Sequence, residues 1–171
     1  HQVTIASYQQ PLHGAAPLNL SDQCNLLFFS HPVLSIQNIK KLREYILTHQ
    51  IEVLINQWVV PFYATMVWKI ATYGTNCQVY SVHHIPPDTN MRIQSLKRKM
   101  ESGKWYLKGM YGLVREISRL SLAFCIKNSH KFILLSSSFI PIAQKFSRVK
   151  SAEKFLSIPN PIPIPVFDES I

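Results

Sequence analysis

The sequence predicts an α/β domain built on a parallel β-sheet with helices on both faces. Two observations carry this expectation. Short β-branched apolar runs alternate with segments whose apolar residues recur at helical spacing, in the order strand, strand, helix, strand, helix, strand, helices, strand, helix, strand. That alternation suits strands of a parallel sheet joined by helical crossovers. The chain also has 171 residues, 47% hydrophobic and 16% charged, enough to bury a core and too apolar for a disordered tail.

The elements follow in order. Val3 to Ser7 is β-branched and apolar and reads as a strand. Residues 8 to 23 contain Pro11, Gly14 and Pro17 and read as a loop. Asn25 to Phe29 is the second strand. Ser35 suits a helix N-cap, and Ile36, Ile39, Leu42 and Ile46 form the apolar face of a helix ending near Thr48 to Gln50. Ile51 to Ile55 is the third strand. Pro61 suits the first turn of the next helix, whose stripe is Phe62, Met66, Ile70 and Tyr73, with Gly74 as its C-cap.

Gln78 to Val82 is the fourth strand, followed by His83, His84 and a Pro86-Pro87 loop. One or two helices occupy Arg92 to Lys127, with a break expected near Gly103, Gly109 and Gly112. Phe132 to Leu135 is the next strand. Ser136 to Ser138 offer an N-cap for a helix running to about Phe146, and Phe155 to Ile158 is a last short strand. The chain therefore divides into a domain over 1–158 and an extended Pro-rich linker over 159–171.

Charge is localised. The chain carries +9 overall. Arg92, Lys97, Arg98, Lys99, Lys104, Lys108, Arg115, Arg119, Lys127 and Lys131 are ten cations against Glu101 and Glu116, so this stretch holds +8 and the remainder +1. Such a field attracts phosphates, anionic lipid surfaces or nucleic acid, and a solvated helix face is the plainer role. Cys24, Cys77 and Cys125 are too scattered for a disulfide scaffold or a zinc cluster and suit a reducing compartment. No apolar run reaches the ~18 residues of a membrane span. No signal peptide is visible, and the opening His1-Gln2-Val3-Thr4 reads as the middle of a longer protein.

Ligands of open parallel sheets bind beyond the carboxyl ends of the strands. Polar residues gather at those ends: Asn56 and Gln57, then His83 and His84, then Ser136 to Ser138, then Asn160. Each also has a plainer role as a turn, capping or loop residue. The His pair has the richest chemistry, because a His of near-neutral pKa donates to a phosphate or shuttles a proton. The five glycines form no phosphate-binding loop, and there is neither a GxSxG elbow nor metal-ligand spacing. A hydrolase or a metalloenzyme is therefore unsupported.

Four segments occur in one order: Ile55-Asn56-Gln57-Trp58, Val79-Tyr80-Ser81-Val82-His83-His84-Ile85-Pro86, Leu134-Leu135-Ser136 with Phe139, and Ile158-Pro159-Asn160-Pro161. Together they resemble the N-terminal, Rossmann-like domain of bacterial retaining glycosyltransferases of family four, enzymes of the two-domain GT-B fold. The opening His1-Gln2-Val3-Thr4-Ile5 is similar to the "GHxVT" second strand of that family, begun just after its Gly. The resemblance covers most of the chain, most firmly from Leu42 to Pro165.

The resemblance implies transfer of a sugar from a nucleotide-diphosphate donor to a glycan or lipid-linked hydroxyl acceptor, with retention, in cell-surface polysaccharide or glycolipid synthesis. It implies a cytoplasmic location, including the inner membrane face, and no cofactor beyond the donor substrate. The family's loop His falls on His83, with the adjacent His84 as the alternative. Asn56, Gln57, Ser136 and Asn160 carry over as cleft-edge residues. The family's first strand, its Gly-rich loop and its C-terminal donor domain with the paired glutamates have no counterpart here, so this fragment alone is expected to be inactive.

In the family that first strand lies between the strands matching Val3–Ser7 and Ile51–Ile55. Without it the two strands are expected either to close up or to expose an edge that pairs with a second copy in a homodimer. The basic stretch gains a role from lipid-linked acceptors: Lys97, Arg98, Lys104, Trp105 and Lys108 are candidate contacts to an anionic membrane. The competing expectation is that the aromatics pack into the domain. A non-catalytic module that binds nucleic acid or membrane through the basic stretch is the alternative function. The stretch matches no nucleic-acid motif, so nucleic acid is not the expected partner.

Overall fold

A computed structural model describes residues 3–7, 24–57, 62–89 and 91–159. The strands are β1 (Val3–Ser7), β2 (Cys24–Phe28), β3 (Val53–Asn56), β4 (Gln78–His83), β5 (Lys131–Leu134) and β6 (Phe155–Ser157). The helices are α1 (Ile36–Thr48), α2 (Phe62–Ala71), α3 (Met91–Glu101), α4 (Lys108–Asn128) and α5 (Phe139–Ser147). All strand pairs are parallel. The fold is an α/β parallel sheet flanked by helices, of Rossmann-like type.

Local chemistry accounts for the element ends. The Ser35 hydroxyl accepts from the Asn38 amide at 3.1 Å and caps α1. The Asn38 side chain, itself buried, donates to the carbonyls of Ser30 and Val33 at 2.7 and 2.9 Å and so fixes the entry loop. Gly103 separates α3 from α4 at φ +95°, a left-handed value that suits glycine. The break is confined to Gly103 and a short 3-10 turn over Trp105–Leu107; Gly109 and Gly112 lie inside α4.

Strands β3-β4-β5-β6 form one four-stranded sheet, and β1-β2 a separate pair. Along β4 and β5 every second residue is buried: Val79 and Ser81, then Phe132 and Leu134. This buried face meets a run of helices in which α1 packs on α2, α2 on α4, and α4 on α5. The inner stripe of α4, Ser118, Ser121, Leu122, Cys125 and Ile126, recurs every three or four residues. Leu27 and Phe29 of the β2 region join the same apolar cluster as Val79 and Phe132, so the two sheets share one core. Thr4 Oγ1 meets Tyr45 Oη at 2.9 Å and ties β1 to α1.

Strands β1 and β3 do not close onto one another; each is a terminal strand of its own sheet. Val3 and Ile5 are exposed on β1, and Val53 and Ile55 on β3. Apolar terminal strands of this kind favour pairing with another chain. We therefore expect concentration-dependent self-association. Light scattering should give a mass rising toward the dimer, and Ile55→Lys should return it to the monomer. A monomer at every concentration would contradict this.

Candidate functional site

The strand register places Asn56, His83 and Ser136 at or near the carboxyl edge of the four-stranded sheet. Asn56 pairs with Ser81, and His83 pairs with Leu134, which in turn pairs with Ser157. Ser136 follows Leu134 by two residues. His83 and Ser136 therefore end neighbouring strands, and Asn56 lies two residues below the level of His83.

The His83 side chain is turned into the domain. Its ring centroid lies 6.1 Å from that of Phe132, and Nε2 is buried with no hydrogen-bond partner among the described residues. Burial lowers its pKa to about 4, with the charge of neighbouring His84 a smaller contribution in the same direction. His83 is thus a neutral imidazole at physiological pH, able to donate through one nitrogen and accept through the other. The sequence-based picture of a near-neutral proton carrier changes accordingly: the group is a fixed polar contact facing a low-dielectric interior.

A pH profile tests this. Unfolded His83 protonates as pH falls below 6.5, whereas folded His83 resists protonation until about 4. Between those values the unfolded state binds more protons, so stability falls as pH falls, by up to about 1.4 kcal/mol per pH unit. Above 6.5 this contribution is flat. Subtracting the profile of His83→Asn, measured by urea unfolding, should isolate this slope; identical profiles would contradict the buried neutral imidazole.

The remaining predicted residues separate. Asn56 is buried, and its Nδ2 donates to Ser81 Oγ at 3.2 Å. It belongs to a polar knot in which Ser81 Oγ meets Ser129 Oγ at 2.7 Å and the Cys125 thiol donates to Ser81 Oγ at 3.3 Å. Burial pushes the Cys125 thiol pKa up, so it is held as a thiol. Asn56 therefore serves the joint between β3, β4 and α4 more directly than a ligand. Gln57, one residue on, is exposed. Ser136 Oγ lies 2.7 Å from Ser138 Oγ and accepts from the Ser138 amide at 3.3 Å, a local turn that starts α5. His84, next to His83, is exposed. Asn160 lies outside the described residues.

The basic stretch meets the expectation that its aromatics pack inward only in part: Tyr111 packs against the core, and others do not. Trp105 is 79% exposed and Tyr106 66%. Met110, Leu113, Ile117 and Leu120 are also exposed, at spacings of three and four residues along α4. The inner face of α4 is already filled by its buried stripe, so these residues face outward. Lys97, Arg98, Lys104 and Lys108 are exposed around the Trp105 turn, Lys97 at 3.9 Å from Glu101. Of this band the sequence pointed to Trp105 but not to Ile117 and Leu120; the signal was a helix apolar on two separate faces.

Among the described residues, no group of three or more His, Cys, Asp or Glu could hold a metal ion, and no helix is long and apolar enough to cross a membrane. No family model, curated protein or solved structure matches the chain.

Proposed function

We propose that this chain is the acceptor-side domain of a retaining glycosyltransferase, acting on a nucleotide-diphosphate sugar and a glycan or lipid-linked acceptor. The observation that carries the reading is His83 at the carboxyl edge of a parallel sheet, with a buried Nε2 that has no hydrogen-bond partner among the described residues. A sugar hydroxyl is a fitting partner for such a neutral nitrogen, because a hydroxyl both donates and accepts. Resemblance of the segments around Asn56, His83 and Ser136 to family four supplies the reaction class. His83 would hold the transferred sugar once its ring turns from the interior toward the strand end, with the exposed His84 and Gln57 at the rim. No metal or cofactor is assigned.

Histidine ring NMR tests the site. UDP-, GDP- and dTDP-linked hexoses and methyl glucoside, added in turn to millimolar levels, should shift the His83 ring signals in at least one case. Ring signals that move with none of them would remove His83 from the site.

A second reading is favoured by the exposure of Trp105. The Trp105–Leu120 band, with Lys97, Arg98, Lys104 and Lys108 beside its start, has the composition of a surface that rests on anionic lipid. It is compatible with a lipid-linked acceptor and with a non-catalytic membrane-binding module alike.

A further inference from the structure

A second polar cluster lies between α4 and α5, where Asp88 of the loop after β4 also reaches it. Arg115, Arg119, Lys145 and Arg148 line a cavity of about 410 Å³ together with Asp88 and Glu116. Four cations against two carboxylates leave a surplus of +2. Glu116 is committed to Arg119: its Oε1 accepts from Arg119 Nε at 2.8 Å, and the Arg119 side chain is only 15% exposed. Arg115 lies over the Phe146 ring at 5.8 Å, which fixes the guanidinium on the cavity wall. Glu116 also feels the charges of Arg148 and Arg115, but among the described residues no carboxylate lies within 4 Å of the cationic groups of Arg115, Lys145 or Arg148.

Arg148 supplies a separate observation. It ends α5 at φ 61°, ψ 21°, a left-handed conformation that glycine adopts without cost and that an arginine does not. Cations near a helix C-terminus also complement its partial negative charge, and Lys145 or Arg148 alone would suffice for that. That role accounts neither for a non-glycine residue in this conformation nor for Arg115 and Arg119 converging from another helix. A strained residue aimed into a cavity points to use of its side chain.

We infer that the α4–α5 cavity binds a phosphate dianion or phosphate monoester, held by Arg115, Lys145 and Arg148, with Arg119 fixed behind them by Glu116. A phosphate carries about −1.5 to −2 at pH 7 and accepts the planar donor pairs that guanidinium groups present. The site is independent of the sugar-transfer reading and stands or falls without it.

The test is titration of the full chain with inorganic phosphate at constant ionic strength, chloride making up the balance. Saturable binding is expected, weakened roughly tenfold or more by Arg115→Gln and by Arg148→Gly. Arg148→Gly relieves the left-handed strain, so it should melt no lower than wild type while losing phosphate. Lys99→Gln, which removes a charge from α3 outside the cavity, should bind as wild type does. Vesicles containing phosphatidic acid distinguish the source: pelleting lost in Arg148→Gly indicates a lipid phosphate, and phosphate binding without such pelleting a soluble one. No saturable response to either probe, or equal weakening by Lys99→Gln, would overturn the site.

Discussion

Replacing Phe132 with Ala is expected to destabilise the protein by about 3–5 kcal/mol. Domains of this size are stable by only about 5–15 kcal/mol in total, so the variant should be close to unfolding. The effect follows from position. Phe132 is fully buried in β5, the strand that pairs with both β4 and β6. Its ring meets Phe155 edge-on at 6.1 Å and backs His83 at the same distance. Neighbours drawn from the two flanking strands cannot all collapse into the space the ring leaves. Urea unfolding should show a lower midpoint with the slope kept. A cost below about 1 kcal/mol would mean that β5 is not the centre of the core. Val149→Ala, at the end of the same cluster, should cost less.

The second large effect concerns the exposed band. Replacing both Trp105 and Leu113 with Ser should reduce binding to anionic vesicles by about two orders of magnitude or more, since each apolar side chain contributes about 1.5–3 kcal/mol when fully withdrawn from water. Both residues are already in solvent, 79% and 62% exposed, so their loss should leave the fold intact. Replacing Lys104 and Lys108 with Gln should weaken binding more modestly, by about 1 kcal/mol per charge, and more so at low salt. The two pairs therefore separate insertion from attraction. Equal pelleting with neutral and anionic vesicles would count against an electrostatic dock, and no pelleting with either would remove the membrane surface from consideration. In that event a steep salt dependence of binding to short DNA or RNA would favour nucleic acid instead.

The fold was legible because strand and helix segments differ in period. Ile36, Ile39, Leu42 and Ile46 announce α1, and Ser35 announces its start. Boundaries moved by one or two residues, as at β3, which runs from Val53 to Asn56 against the expected Ile51 to Ile55. The site was legible only in part. The strand ends were correctly located, yet residue type does not reveal which polar side chains the core consumes. Asn56 goes to Ser81, Ser136 to its own turn, and His83 is turned inward against Phe132. The cluster of Arg115, Arg119, Lys145 and Arg148 was hidden for a related reason. Its members lie on two helices separated by β5, and only packing brings them to one cavity. Similarly, Ile117 and Leu120 look like core residues until the opposite face of α4 is seen to be filled.

The most direct measurement is sugar transfer itself. The full-length protein should be assayed for transfer of labelled sugar from a panel of nucleotide-diphosphate sugars, with wild type and His83→Ala compared after both are shown to fold. Loss of a hydrogen bond that holds the reacting sugar should lower turnover by at least about tenfold, and His84→Ala should lower it less. Turnover in His83→Ala equal to wild type, with the fold preserved, would contradict the assignment of this sheet edge as the acceptor-side site.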